Sequence, residues 1–466
     1  MREDSRRSGA SGAVLVGIAG VLLCWMGFHN GFPLVFYDTA AYLRIGFAKI
    51  LMPGRPVFYG LFVWIASLGQ SPYLVILFQG LLVSYLVYLL FRSLFAPSCW
   101  KLGFLSAIVF VCLTTAASFS VSQMQVDAFT PILFLSLALF LFDDSLSTAE
   151  RVGAAAVYAF SLTTHNTHIL IVGIALVAIL LMWSNRRSRG WIRERMRRRW
   201  VVAWGLFGLA LIMMPTVHYV MGNRFVVMYG SHSFIMQKLL DYGVLDAYLE
   251  ESCQEKRYGL CEYAGHIPDN FMWDMKNSPF YKMGGWDATE EEYSRIIRDV
   301  LSDPGYLAIC AYNSIGCSAK MLVNFDIDFV EKTDYLESAV RECFGGYERQ
   351  YRNARQQMGS LKVEHINTLQ RFAVFVSLLL AFFAFFHPEI RARIPARTKG
   401  VVLFLLAAIF LNAVVCGTLG LVLARYQNRV TWIVVLMAIW LYSPREVAGY
   451  LVKRARELSA GECRPD

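Results

Sequence analysis

Apolar runs long enough to cross a bilayer recur along this chain of 466 residues, and they fix its class before any single residue does. About 30 Å of hydrocarbon takes roughly 17 to 25 apolar residues in a helix. About ten such runs are read, near 11 to 29, 73 to 94, 102 to 121, 128 to 142, 151 to 164, 167 to 184, 201 to 219, 370 to 387, 400 to 423 and 430 to 443, the fourth, fifth and last being short. With 56% of residues hydrophobic, 17% charged and a mean hydropathy of +0.44, a soluble enzyme is excluded on composition as well. The expected fold is an all-α polytopic membrane protein with about ten transmembrane helices.

The net charge of +9 would point to nucleic acid in a soluble chain, but here it is topogenic. Arg2, Arg6 and Arg7 hold the N-terminus inside, and crossing at every run then places Arg92, Lys101, Arg151, the run from 185 to 200, Arg391 to Lys399 and the tail with Lys453, Arg454 and Arg456 on the same side. The arginine run between two spans is read as a stop-transfer and headgroup-binding segment, not a nucleic-acid patch. The first run follows a basic segment but no A-x-A-like site, so it is read as a helix and not a cleaved signal. The protein is therefore expected in a bacterial inner membrane with both termini cytoplasmic.

This map divides the chain into a transmembrane module of about seven helices over 1–219, a periplasmic domain over 220–368, a module of about three helices over 369–444 and a cytoplasmic tail over 445–466. Residues 30–72 form an outer loop in which the amphipathic spacing from Tyr37 to Leu51 predicts an interfacial hairpin. Segment 220–368 mixes aromatic and turn residues, with a helix predicted from about Thr289 to Leu301, as in a small α-rich domain. No repeat or low-complexity linker is visible.

Five of the ten cysteines, Cys253, Cys261, Cys310, Cys317 and Cys343, fall in that segment, where the compartment permits disulfides. Their spacings suggest Cys253 with Cys261 and Cys310 with Cys317, leaving Cys343 free. The intervals do not fit zinc, and no His-x3-His companion exists.

Polar residues at membrane depth are the functional candidates. Asp38, in VFYDTAAYL, and Asp127, in SQMQVDAFT, share the outer interface by this topology. Either could instead be a helix cap. On the same face lie His165 and His168, at i and i+3, suited to a metal or phosphate or else a polar turn. Arg425 and Arg429, at i and i+4, suit a lipid phosphate or else snorkel at the interface.

An aspartate in a long first outer loop, an Arg55-Pro56-x-x-Tyr59 segment after it, and an aspartate opening a span in the form VDAFTPILFLSLAL resemble the GT-C superfamily of integral membrane glycosyltransferases. The pattern covers roughly the first 185 residues. Many members carry a paired acidic motif in the first loop, where this chain has Asp38 alone. The resemblance implies inverting transfer of a sugar from a polyprenyl-phosphate donor to a lipid, glycan or protein acceptor on the outer face. On that reading Asp38 is the base and Asp127 a second acidic residue for metal or acceptor. Arg55, Arg425 and Arg429 take the phosphate, and His165 and His168 take phosphate or metal. A divalent cation such as Mg or Mn, held by Asp38 and Asp127, would fit the same scheme, with membrane lipids as further partners.

A lipid or solute transporter, or a noncatalytic subunit of envelope glycan assembly, is the alternative. A transporter would place its ionisable residues near the midplane in repeated halves, whereas these sit at one interface. No G-x-S-x-G, H-E-x-x-H or P-loop motif is present.

Overall fold

The computed structural model describes residues 2–95, 100–184, 194–328, 333–444 and 447–453. The arginine run before residue 194 and the tail beyond Lys453 lie outside the described residues. The described residues are helical and include no named strand, only one isolated bridge between Leu34 and Gln123. In chain order the first helices are α1 (Arg2–Leu23), α2 (Trp25–Asn30), α3 (Tyr37–Ala48), α4 (Val57–Ala66), α5 (Pro72–Leu94), α6 (Trp100–Thr114), α7 (Ala117–Val121), α8 (Phe129–Phe142), α9 (Thr148–Thr164), α10 (Asn166–Ser184) and α11 (Glu194–Gly222). There follow α12 (Ser231–Asp241), α13 (Val244–Ser252), α14 (Pro279–Lys282), α15 (Gly285–Ala288), α16 (Glu290–Ser302), α17 (Pro304–Val323), α18 (Asp334–Phe344), α19 (Glu348–Arg352), α20 (Glu364–Phe386), α21 (Pro388–Arg393), α22 (Ala396–Leu419) and α23 (Arg425–Tyr442).

Among the described residues four helices are long and apolar enough to cross a membrane, Pro72–Leu94, Met196–Gly222, Glu364–Phe386 and Ala396–Leu419, or five if Arg425–Tyr442 is joined to Val447–Lys453. Shorter apolar helices, among them Ser11–Leu23, Trp100–Thr114, Val126–Phe142 and Asn166–Leu181, take up other expected runs. Two runs read as continuous are broken. The run 11–29 stops at Leu23 and resumes at Trp25. The run 102–121 breaks after Thr114, where Thr115 turns its hydroxyl back onto Val111 O at 2.5 Å and Gln370 accepts the Ala116 N–H at 2.6 Å. A side chain that offers the backbone another partner ends the helix there.

The hairpin of α3 and α4 is packed into the protein. Tyr42, Leu43, Ile45, Val57 and Tyr59 are buried in the main apolar core. A Cβ on Gly46 would meet the Gly60 carbonyl, so the two helices touch backbone to backbone. On its other side α3 packs against α18, whose buried Leu336, Ala339, Val340 and Phe344 form one helical face.

Segment 220–368 thus does not form one separate core: its buried residues divide among four clusters. A separate cluster, with Met236, Leu245, Leu249, Phe271, Phe280, Tyr293, Ile296 and Val300, unites α12 to α16 into a cap. The helix expected from about Thr289 is α16, beginning at Glu290, and its buried Tyr293, Ile296, Ile297 and Val300 follow the helical period. Helix α17 leaves the cap and lies along α22, where a Cβ on Gly417 would come within 2.8 Å of Ser318 Cα. Sequence reading places its residues within the separate domain over 220–368.

Candidate functional site

Two segments far apart in the chain are brought side by side by the single bridge. Leu34 N donates to Ser122 O at 2.9 Å, and Met124 N donates to Leu34 O at 2.8 Å. Gln356 clamps the same segment by accepting from Val35 N at 3.1 Å and donating to Val35 O at 2.8 Å. The chain then enters α3 through Phe36, whose N–H donates to the Thr39 hydroxyl at 2.9 Å, while that hydroxyl donates to Met124 O at 3.0 Å. Asp38, in the first turn of α3, therefore stands beside Asp127, in the short turn of Val126–Ala128 that opens α8.

The first two turns of α23 supply two arginines, Arg425 and Arg429. Arg425 Nη2 donates to Asp38 Oδ2 at 2.8 Å and its Nη1 reaches Asp127 Oδ2 at 3.5 Å. Arg429 Nη1 donates to Asp127 Oδ1 at 2.5 Å and its Nη2 to Asn412 Oδ1 at 2.9 Å. Arg55, from the loop between α3 and α4, pairs with the other oxygen of Asp38. The Arg425 guanidinium also lies 4.0 Å from the Phe36 ring centroid and 4.8 Å from that of Tyr426.

Three guanidiniums face two carboxylates, so the cluster carries one positive charge in surplus. It has an inner and an outer half. Arg429 is fully buried and the Asp127 side chain is 3% exposed, whereas Asp38 and Arg55 are each 14% exposed. Burial alone would raise the Asp38 carboxyl, but Arg55 and Arg425 outweigh it and hold it down to about 2. The Arg55 guanidinium is 5.8 Å from the ring of Trp273, a half-exposed residue of the cap.

The donor set does not fit a divalent cation. Both carboxylates are already engaged by arginine, and no group of three or more His, Cys, Asp or Glu side chains that could hold a metal occurs among the described residues. The two histidines separate. His168 is buried, with Nδ1 at 2.6 Å from Ser161 O and Nε2 at 2.9 Å from the Thr130 hydroxyl, so it has no nitrogen left for phosphate or metal. His165, at the bend between α9 and α10, accepts the Thr167 N–H on Nδ1 at 3.1 Å, which leaves its proton on Nε2. Burial, aided by Arg429, pushes it well below the usual imidazole range, so it is neutral.

Cys253 and Cys261 are bonded in the cap. The suggested partners Cys310 and Cys317 are free thiols, as is Cys343. The first two lie seven residues apart on α17, about 10 Å along its axis and beyond disulfide reach.

Sequence reading missed Gln125, whose Nε2 donates to Asp38 Oδ2 at 3.2 Å, and Asn412, which holds Arg429. The signal was the one used for the aspartates: an amide inside an apolar run needs a partner or a use. It also missed Asn166, which lies between the two histidines and donates to Gly54 O at 3.3 Å.

No protein-family model matches the chain, and no curated protein matches it in sequence. Among solved structures it is similar to the crystal structure of ArnT from Cupriavidus metallidurans in the apo state, at 13% identity, covering 94% of this chain and 78% of that one, with a TM-score of 0.29. A superposition at that score carries no residue of one chain onto the other.

Proposed function

We propose that the protein is a membrane glycosyltransferase that takes a sugar from a polyprenyl-phosphate donor at the end of the bundle capped by α12 to α16, on the outer face. The single observation that carries this reading is the cationic cluster of Arg55, Arg425 and Arg429 closing on Asp38 and Asp127. The residue pattern resembling the GT-C superfamily supports it. A phosphodiester is the anion that three forked guanidiniums with one charge in surplus suit.

In the transfer, the acceptor oxygen bonds the anomeric carbon as its proton passes to Asp38. The bond from that carbon to the phosphate oxygen breaks, and its electron pair leaves on the phosphate. No general acid is required, because the leaving group is a stable anion that the arginines stabilise as charge develops. A carboxyl held near 2 is a poor base until its arginines are drawn elsewhere. Donor phosphate does that by competing for Arg55 and Arg425, after which burial raises Asp38 toward a working range. Asp127 acts differently: it holds Arg425 and Arg429 in place from below.

The test is turnover by purified protein in vesicles of bacterial lipid extract, with a panel of glycosylated undecaprenyl phosphates and envelope extract as acceptor. Release of undecaprenyl phosphate is expected for at least one sugar, and Arg425→Gln should abolish it. A wild-type protein that neither binds nor turns over any member of the panel would remove this reading.

A further inference from the structure

The cluster is surrounded by buried polar atoms that meet nothing in the protein. Gln125 is fully buried and spends its amide Nε2 on Asp38, yet its Oε1 has no partner. Asn166 spends Nδ2 on Gly54 O, the residue before Arg55, and its Oδ1 has no partner either. The Nε atoms of Arg55, Arg425 and Arg429 are likewise unsatisfied. A buried amide oxygen left unpaired costs stability, and such groups are ordinarily satisfied.

Rotating either amide does not relieve this. A rotated Gln125 would set its oxygen against the Asp38 carboxylate, and a rotated Asn166 would set its oxygen against the Gly54 carbonyl. Both orientations are therefore fixed by partners that accept only hydrogen. The two free oxygens flank the cluster, one on the Asp38 side and one on the Arg55 side, and both need a donor. The neutral His165 adjoins Asn166 in the chain and carries its proton on Nε2.

We propose that Gln125 Oε1 and Asn166 Oδ1 accept hydroxyl groups of the donor sugar and set which sugar the site takes, while the arginines hold its phosphate. This rests on the donor-phosphate reading of the cluster. Phosphate has no hydrogen to give to these oxygens at neutral pH as a diester, and an acyl chain has none at all; a polyhydroxylated ring has several. A site with fixed acceptors for hydroxyls discriminates strongly against ligands that lack them.

The experiment measures binding of bare undecaprenyl phosphate and of undecaprenyl phosphate carrying glucose, mannose, galactose or arabinose to the full-length protein in nanodiscs. The wild type is expected to bind at least one glycosylated lipid tenfold or more above the bare lipid. In Gln125→Met and in Asn166→Leu the ratio of glycosylated-lipid to bare-lipid affinity should fall below threefold, whatever the loss of their bonds to Asp38 and Gly54 does to bare-lipid affinity itself. Should an apolar variant fail to fold, Gln125→Asn and Asn166→Gln move the oxygen by one methylene and should reorder the sugar panel. Preference surviving in all variants overturns the assignment, as does a wild type that binds bare lipid with no preference, or affinity for both lipids falling in step. A wild type that binds neither lipid fails at the arginines, which is the failure of the underlying reading and is distinct from the others.

Discussion

Asp127 and Arg429 stand 302 residues apart in the chain and meet at 2.5 Å in a fully buried contact. A pair so enclosed is a poor source of net stability but a strong constraint, because neither charge can be left alone. Arg429→Met should lower stability by about 3 to 5 kcal/mol, and the double change Asp127→Leu with Arg429→Met should recover much of it. Thermal melting in detergent of both variants checks this. A double variant no more stable than the single would show that Asp127 does not need Arg429.

Asp38 sits at the exposed edge of the same cluster, and its removal should act on rate. Asp38→Asn keeps shape and most hydrogen bonding, so normal abundance in the membrane is expected together with a fall in turnover of about a hundredfold or more. Near-normal turnover in the vesicle assay would assign Asp38 to binding or scaffold instead.

The depressed Asp38 carboxyl also fixes a pH dependence. Its folded value, about 2, lies below the ordinary 3.8, so its contribution to stability is present above pH 4 and is lost as pH falls toward 2. The difference in melting temperature between wild type and Asp38→Asn should be flat from pH 7 to about pH 4 and should shrink below it. A gap that widens on acidification would reverse the sign and with it the pairing.

Cys253 and Cys261 close a loop across 8 residues of sequence in the cap. A loop so short is worth about 2 to 3 kcal/mol. Mass mapping of membranes prepared without reductant should recover the cross-linked peptide, and reduction should raise proteolysis between α13 and α16. Two free thiols in unreduced membranes would contradict the bond.

Orientation is checked separately. Reporter fusions at Gly190 and Gly285 should give opposite readouts, the first cytoplasmic and the second outside, and matching readouts would overturn the proposed side of the reaction.

The apolar runs made the helices legible, because hydropathy at membrane depth is close to a direct reading of the solvent. The aspartates and arginines of the cluster were legible for the same reason: ionisable groups near such runs must find each other. What the sequence hid was long-range packing. Nothing local distinguishes Leu336 or Val340 on α18 as partners of the first loop, or sends α17 onto α22. The role of His168 was hidden too, since its spacing from His165 is the same whether its nitrogens face a crevice or, as here, Ser161 and Thr130. The cysteines show the limit of spacing: 8 residues allowed a bond across a turn, and seven on one helix did not.

Gly54 is where the cap grips the loop that carries Arg55. It has a φ of +69°, its N–H donates to Tyr229 O at 2.8 Å, and the ring of Phe234 on α12 fills the place a side chain would take. A larger residue there would be strained in φ and would collide with that ring. The loop that carries Arg55 is therefore packed directly against the start of α12. Gly54 thus joins two parts of the molecule at one point: the residue next to Arg55 has no room for a side chain because the cap already occupies it.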